Sequence, residues 1–324
     1  MTIPAALGKN LKLPVIAAPM FLVSGPELVI ATCRSGAIGT FPALNQRTTE
    51  GYAQWLDTIR TGLGPDDAAF GVNLIVHKTN PRLSADLDVT VRHRVPLVVT
   101  SLGAAREVVD AVHAYGGSVF HDVTTIAHAR KAAEKGVDGL ILVCAGAGGH
   151  AGTRNPFAFV HEVRQFFSGT IILSGCLSTG RDVAAAMLMG ADLAYMGTRF
   201  INTRESRAAT EYRQMIIASQ SDDITYTAAI SGIPANFLNA SLAACGLDPK
   251  NLPEKGAVDI GGELNHEARA WKDIWSAGQG VGAITDVLPT SELIVQLARE
   301  LDAARSELAA RPSPFAEPLT EGLA

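Results

Sequence analysis

The feature that most restricts the fold of this chain is a regular alternation of short apolar runs with longer amphipathic segments. Segments of helical periodicity separate the runs, and several of them end on a glycine just before the next run, as helices do when a left-handed residue terminates them. This alternation predicts a parallel β-sheet built from βα units. The predicted strands are PVIAAPM (14–20), AIGTFP (37–42), AFGVNLI (69–75), PLVVTS (96–101), SVFHDV (118–123), DGLILVC (138–144), GTIILSG (169–175) and DLAYMG (192–197).

Eight strand and helix units within about two hundred residues fit a closed (β/α)8 barrel, the TIM barrel, better than an open doubly wound sheet. An open sheet needs a point at which the strand order reverses, and no segment marks one. We therefore predict an α/β fold with a (β/α)8 barrel over residues 1–204.

The chain beyond the eighth strand departs from a minimal barrel. A largely helical stretch (205–219) precedes a region rich in turn residues (231–256), and together they predict a smaller, mostly helical lid or substrate subdomain over the barrel mouth, residues 205–270. Residues 271–324 are expected to return to the barrel and to end in a helix (290–310) with a frayed polar tail.

The composition argues against several classes of protein. The formal net charge is -5 and no Lys/Arg cluster is interleaved with aromatic residues, which disfavours nucleic-acid binding. Charged or polar residues interrupt every apolar stretch before it reaches the length of a membrane span. The N-terminus lacks a basic region followed by a long apolar core, so no signal peptide is predicted and a cytoplasmic location is expected.

The cysteines and histidines do not form a metal-binding pattern. Cys33, Cys144, Cys176 and Cys245 lie far apart without a CxxC pair, so free thiols are predicted. No pair of histidines and carboxylates has a ligand spacing such as HExxH, so we expect no metal. The sequence does not indicate an oligomeric state.

Two glycine-rich turns follow the seventh and eighth predicted strands: SGCLSTG (174–180) and MGTRF (196–200). Each leads into a predicted helix, so backbone N–H groups can converge on an anion, and phosphate sites of (β/α)8 barrels commonly lie after these two strands. A phosphorylated cofactor or substrate is the favoured interpretation. The alternative is that the glycines merely allow tight turns.

The stretch VCAGAGGHAG (143–152) follows the sixth predicted strand. Its glycines are spaced one residue too widely for the dinucleotide motif GxGxxG, so a Rossmann phosphate site is disfavoured. An imidazole with an unperturbed pKa is suited to take a proton from carbon or nitrogen near neutral pH, which makes His150 a candidate base. A structural role for His150 stays equally open. On the fifth strand, only one of His121 and Asp122 can point into the barrel.

Six motifs in sequence resemble the nitronate monooxygenase family, formerly called 2-nitropropane dioxygenases. They cover nearly the whole chain in the order of the family: AAPM (17–20), FGVNL (70–74), AGGHAG (147–152), LSGCLSTGRDVAAAMLMGAD (173–192), YMGTRF (195–200) and WSAGQGVG (275–282).

The resemblance implies a TIM barrel that holds FMN without a covalent bond, with site residues carried over position by position. His150 is expected beside the substrate, as a base or a polar contact. The residues expected to bind the cofactor are Ala18, Pro19, Met20, Gly148 and Gly149 against the flavin ring, Asn73 by a hydrogen bond, Ser174, Gly175, Gly197 and Thr198 at the phosphate, Trp275 and Gln279 closing over the phosphate side, and in addition His121 and Cys176.

The implied reaction is oxidation of an alkyl nitronate with O₂ to a carbonyl compound and nitrite. Two departures from the family pattern affect this reaction. Val143 stands where the family usually has a polar residue, and His121-Asp122 stands where flavin NAD(P)H:quinone reductases show His-Lys. These departures make the specific reaction less firmly implied than the cofactor. The alternative is an FMN-dependent NAD(P)H oxidoreductase that reduces a quinone or an enoyl thioester, as related barrels do. A third possibility is a phosphate-binding barrel that acts as an isomerase or aldolase, or a binding protein without catalysis. The strand ends carry almost none of the Lys or Glu expected of an isomerase.

Overall fold

The computed structural model describes residues 2–252 and 272–311, and it contains the predicted (β/α)8 barrel. Eight parallel strands close into one barrel, because the last strand pairs with the first through Val15 and Ala194, Ile16 and Tyr195, and Ala17 and Met196. The barrel strands are β1 (Val15–Ala17), β2 (Ile38–Pro42), β3 (Phe70–Ile75), β4 (Leu97–Ser101), β5 (Ser118–Val123), β6 (Gly139–Val143), β8 (Thr170–Ser174) and β9 (Leu193–Met196). A short strand between β6 and β8, β7 (Gly149–His150), lies outside the barrel.

The barrel interior is a packed apolar core, as this architecture requires. Branched and aromatic side chains from successive strands form one fully buried cluster, which includes Ile16, Ile38, Phe120 and Ile172. Leu7, from the short helix that precedes β1, belongs to the same cluster. The interior near this cluster is therefore filled with side chains, and space for a ligand remains at the carboxyl ends of the strands.

The helices begin where the sequence supplies N-terminal caps. The side chains of Thr48, Thr125, Asn155 and Thr179 each accept a hydrogen bond from a backbone N–H in the first turn of the following helix. The helices are Ala5–Gly8, Pro26–Arg34, Thr49–Gly62, Leu83–Arg92, Arg106–His113, Ile126–Glu134, Pro156–Arg164, Gly180–Leu188, Thr198–Ile201, Thr210–Ala218, Asn239–Ala244 and Thr290–Ala310, with 3-10 turns at Ala43–Asn45, Ser221–Asp223 and Gln279–Ala283. None of the described helices is long and apolar enough to cross a lipid bilayer.

The long helix Thr290–Ala310 has the bounds that its periodicity predicts, and it packs against Gly180–Leu188. Their contact is close enough that a Cβ on Gly180 would overlap the backbone of Leu297. Glycine is therefore required at this position by helix packing.

The segment after the barrel contains a small sheet that was not predicted from the sequence. The strands β10 (Ile224–Thr227) and β11 (Ala235–Leu238) are antiparallel, and β11 also pairs with β7. The helices Thr210–Ala218 and Asn239–Ala244 belong to the same segment, whereas residues 205–209 are not helical. Residues 253–271 and 312–324 lie outside the described residues. They include the last part of the predicted subdomain, so the domain boundaries at 204 and 270 stay predictions.

Candidate active site

The main pocket lies at the carboxyl ends of the barrel strands, where this architecture places its ligands. It contains about 1510 Å³ of empty space, the open mouth included. Every barrel strand or the turn directly after it contributes to the lining: Ala18, Pro19 and Met20 after β1, Pro42 from β2, Asn73 and Ile75 from β3, Ser101 from β4, Asp122 from β5, Val143 from β6, Ser174 to Ser178 from β8 onwards, and Tyr195, Gly197 and Thr198 from β9 onwards.

All but three of the predicted site residues line this pocket, His150, Gly148 and Gly149 among them. The first exception is His121, whose side chain is buried away from the pocket with Nδ1 2.8 Å from the hydroxyl of Thr100. Asp122, the next residue of β5, lines the pocket instead. As the alternation of side chains along a strand predicts, only one of the two residues faces the pocket. It is Asp122 and not the expected His121.

The other two exceptions are Trp275 and Gln279. The Trp275 ring stacks on Tyr212 with a centroid separation of 5.0 Å, and its Nε1 donates to the carbonyl of Lys272. Gln279 uses its backbone N–H to bind the carbonyl of Gly146. Their neighbours Ser276, Gly278 and Gly280 line the pocket, whereas Trp275 and Gln279 do not.

The glycines after β6 allow two loops to lie backbone against backbone. A Cβ on Gly148 would come within 2.8 Å of the backbone nitrogen of Gly278, and a Cβ on Gly278 would come within 2.6 Å of the carbonyl oxygen of Gly146. The N–H of Gly278 also donates to the hydroxyl of Thr198 at 2.9 Å. Packing within the protein therefore explains these glycines without any ligand.

Gly197 is different, because nothing in the described protein requires a glycine there. Its φ is −101°, a value open to any residue, and an added Cβ would make only ordinary van der Waals contacts at 3.7–3.8 Å with Ala18 and Met20. The turn at Gly197 thus leaves room against its backbone, as a cradle for a ligand would.

The start of helix Gly180–Leu188 is already occupied by carboxylates. The N–H groups of Ser178 and Thr179 both donate to Asp182, and the N–H of Gly180 donates to Glu300 at 2.7 Å. An anion in this part of the pocket would therefore bind to the turn that directly follows β8, where Gly175 and Cys176 have positive φ values of 129° and 57°, rather than to the first N–H groups of the helix.

The sheet of β7, β10 and β11 fixes the position of His150. His150 is paired with Ala235 of β11, and the side-chain amide of Asn236 donates to the carbonyl of Ala147 at 2.7 Å. Burial lowers the pKa of His150 from 6.5 to about 4. The imidazole is therefore neutral at pH 7, and the near-neutral pKa expected from the sequence does not apply.

A chain of hydrogen bonds connects three polar side chains on adjacent strands at the pocket floor. Asn73 donates to the hydroxyl of Ser101 at 2.7 Å, and this hydroxyl donates to Oδ2 of Asp122 at 2.7 Å. Burial raises the pKa of Asp122 from 3.8 to about 6, although the Ser101 bond opposes the increase. Among residues 2–252 and 272–311, neither Oδ1 of Asp122 nor the hydroxyl of Tyr195 has a hydrogen-bond partner.

Asn73 was predicted from the sequence as a site residue, whereas Ser101, Asp122 and Tyr195 were not. All three lie at or near the ends of predicted strands, and this position could have identified them as candidate pocket residues. No lysine or arginine is found among the described residues that line the pocket.

A closed (β/α)8 barrel with its pocket at the carboxyl ends of the strands places this chain in the class of TIM-barrel proteins. The model of the nitronate monooxygenase family matches residues 6–300, and the chain belongs to that family of oxidoreductases. The (β/α)8 fold and the family inferred from the six motifs are both confirmed.

Two relatives of comparable sequence identity have different names. A nitronate monooxygenase of Paraburkholderia phytofirmans is 27% identical over 91% of this chain and 94% of that protein. An octahydro-1H-indene-4-carboxyl-CoA dehydrogenase of Rhodococcus jostii is 28% identical over 71% of this chain and 63% of that protein.

Two solved structures resemble the chain over almost its full length. A nitroalkane oxidase from Streptomyces ansochromogenes matches with a TM-score of 0.79 and 26% identity, over 94% of this chain and 99% of that one. FabK from Thermotoga maritima matches with a TM-score of 0.77 and 22% identity, over 95% and 98%, a likeness that concerns the fold alone.

Proposed function

We propose that the protein is an FMN-dependent oxidoreductase that converts alkyl nitronates and O₂ into a carbonyl compound and nitrite. The observation that carries this proposal is the pocket, where glycine-containing turns after β6, β8 and β9 meet in one cavity that His150 also lines. Family membership and the relatives named for nitronates support it.

The residues of the pocket fit FMN in two respects. The turn at Gly197 leaves a space that a single Cβ would enter, as expected for a turn that lies against a phosphate. The buried Oδ1 of Asp122 and the hydroxyl of Tyr195 need polar partners, which a flat heteroaromatic ring can supply.

Each group of lining residues has a proposed role toward the cofactor. The backbone around Ser174, Gly175, Cys176, Gly197 and Thr198 would hold the phosphate, Ala18, Pro19, Met20, Gly148 and Gly149 would contact the ring, and Asn73 would hydrogen-bond its polar edge. Bound FMN supplies the electron-transfer chemistry, whereas the protein supplies binding, orientation and exclusion of water.

The lowered pKa of His150 bears on the form of the substrate. An imidazole whose conjugate acid has a pKa of about 4 is poorly matched to remove a proton from carbon at neutral pH. As a neutral ring it can still donate a hydrogen bond to a nitro oxygen. The site therefore favours a nitronate, which has already lost its carbon-bound proton, over the neutral nitroalkane.

A second candidate function is an FMN-dependent NAD(P)H oxidoreductase that acts on a quinone or an enoyl thioester. Val143, an apolar residue at the pocket wall, is the observation that favours it, together with the dehydrogenase among the relatives. The two candidates share the proposed cofactor and differ in the electron donor.

Anaerobic mixing of the purified protein with alternative donors tests both candidates. We expect yellow flavin absorption that ethyl nitronate bleaches rapidly and nitroethane does not, with nitrite released once O₂ is admitted. Bleaching by NADH or NADPH without bleaching by the nitronate would replace the first candidate with the second. Absence of flavin absorption after incubation with FMN would overturn both.

A further inference from the structure

Asp122 is the only carboxylic acid among the described lining residues of the pocket. Its Oδ2 accepts a hydrogen bond from Ser101, and its Oδ1 is buried without a partner in the part of the chain that the structure describes. We propose that Asp122 is a neutral carboxylic acid in the ligand-bound protein and donates a hydrogen bond from Oδ1 to an acceptor of the ligand in the pocket. This inference rests on the proposed function, because the ligand tested is FMN.

The surroundings of Asp122 disfavour its ionised form. A buried carboxylate is normally stabilised by a cation or by several hydrogen bonds. Asp122 has one hydrogen bond, from Ser101, and no lysine or arginine lines the described pocket. A ligand that fills the mouth would remove the remaining water and increase the cost of the charge further.

The other titratable groups in the described lining do not compensate for a negative charge on Asp122. On neighbouring elements, β4 presents Ser101 and β6 presents Val143, neither of which carries a charge. Burial leaves His150 neutral, with a pKa of about 4, and raises the pKa values of Tyr195, Tyr212 and Cys176. Asp122 is therefore the group of this set that changes protonation between pH 5 and pH 8.

The protonated form is compatible with the hydrogen bonds along the pocket floor. Asn73 donates to Ser101, which in turn donates to Oδ2 of Asp122, so the chain ends on this carboxyl group. A protonated Oδ1 can donate a hydrogen bond to the ligand in the pocket. An ionised Oδ1 could only accept one. The neutral acid can thus bind a ring nitrogen or carbonyl oxygen of the ligand.

Infrared spectroscopy measures the protonation state directly, because a protonated carboxylic acid has a carbonyl stretch that an ionised carboxylate lacks. The spectrum of the FMN-loaded wild type at pH 7 minus that of Asp122→Asn should contain this band, and the band should shift in D₂O. With a pKa of about 6, the wild type freed of FMN would be only about one tenth protonated at pH 7, so loading should increase the band up to about tenfold. Asp110→Asn, a change at an exposed carboxylate of helix Arg106–His113, is the matched control and should leave the band in place.

The outcomes separate this inference from the proposed function. Flavin bound to the wild type without the band, or a band that Asp122→Asn retains, would overturn the role of Asp122 and leave the flavin proposal standing. If Asp122→Asn does not fold, loaded and FMN-free wild type with carbon-13 in the aspartate carboxyl groups are compared, because the label separates the acid band from the carbonyl bands of FMN. No gain of a labelled acid band on loading refutes the inference. A wild type that binds no FMN would overturn both proposals.

Discussion

The replacement His121→Asn tests whether this histidine is a buried structural group or a ligand contact. The residue is 5% exposed, its Nδ1 lies 2.8 Å from the hydroxyl of Thr100, and it does not line the pocket. Burial, with a small contribution from His128, lowers its pKa from 6.5 to about 4 against the opposing effect of Thr100. We expect the variant to keep its flavin content and to show a different dependence of stability on pH.

The sign follows from comparison of the folded and unfolded states. Below pH 6.5 the unfolded chain binds a proton at His121, whereas the folded protein does not until about pH 4. The neutral His121 ring therefore does not lower the free energy of unfolding above pH 6.5. As the pH falls toward 4, protonation of the unfolded chain lowers it. Between pH 7.5 and pH 4.5 the loss amounts to about 2 to 3 kcal/mol, since one pKa unit corresponds to about 1.4 kcal/mol.

Urea denaturation at pH 7.5 and pH 4.5, followed by circular dichroism, provides the measurement. The wild type should lose about 2 to 3 kcal/mol more than His121→Asn between the two pH values. His161→Asn, at an exposed position of helix Pro156–Arg164, is the control and should parallel the wild type. Equal pH dependence of stability in the wild type and His121→Asn would refute the reasoning. Loss of flavin in the variant would show that His121 contributes to ligand binding.

Three further substitutions test the pocket. His150→Ala should keep FMN bound and lower turnover of ethyl nitronate on the order of a hundredfold, because the donor to the substrate is lost; unchanged steady-state turnover would contradict this role. Gly197→Ala should leave the thermal unfolding temperature unchanged, since the new methyl group lies 3.8 Å from Cγ of Met20, but should reduce flavin content by absorbance; full flavin content would argue against a phosphate at this turn. Asn236→Ala should destabilise the protein by about 1 to 3 kcal/mol in urea, because the carbonyl of Ala147 loses its buried donor; a wild-type midpoint would show that this bond is dispensable.

The barrel could be predicted from the sequence because its signals are local. Each strand is a short run of β-branched or apolar residues, and the amphipathic segments between them carry their own caps, such as Thr125 and Thr179. The sheet of β7, β10 and β11 could not be predicted in the same way. Its strands have only two to four residues, and β7 lies in glycine-rich sequence and β11 in the turn-rich region. In addition, β7 pairs with a strand more than eighty residues further along the chain.

The position of the pocket could be predicted, but the choice between His121 and Asp122 could not. In a parallel barrel both faces of a strand are covered, so polar and apolar residues do not alternate in a way that reveals which face points inward. In β5, Val119 and Val123 on one face and Phe120 on the other face are all buried. The register of the closed barrel decides which of the two polar side chains reaches the pocket, and that register depends on all eight strands.

The two sides of the pocket depend on different parts of the chain. The turns after β8 and β9 are positioned by the barrel itself, whereas His150 is positioned by its pairing with β11, a strand that follows the barrel in sequence. Substitutions within residues 224–238 can therefore move His150 while Gly197 and the turn around it stay in place. Relatives of similar identity bear the names of a monooxygenase and a CoA-ester dehydrogenase. In the function we propose, the barrel turns would hold the cofactor and His150 would contact the substrate, so a change in residues 224–238 would alter the substrate side without altering the cofactor side.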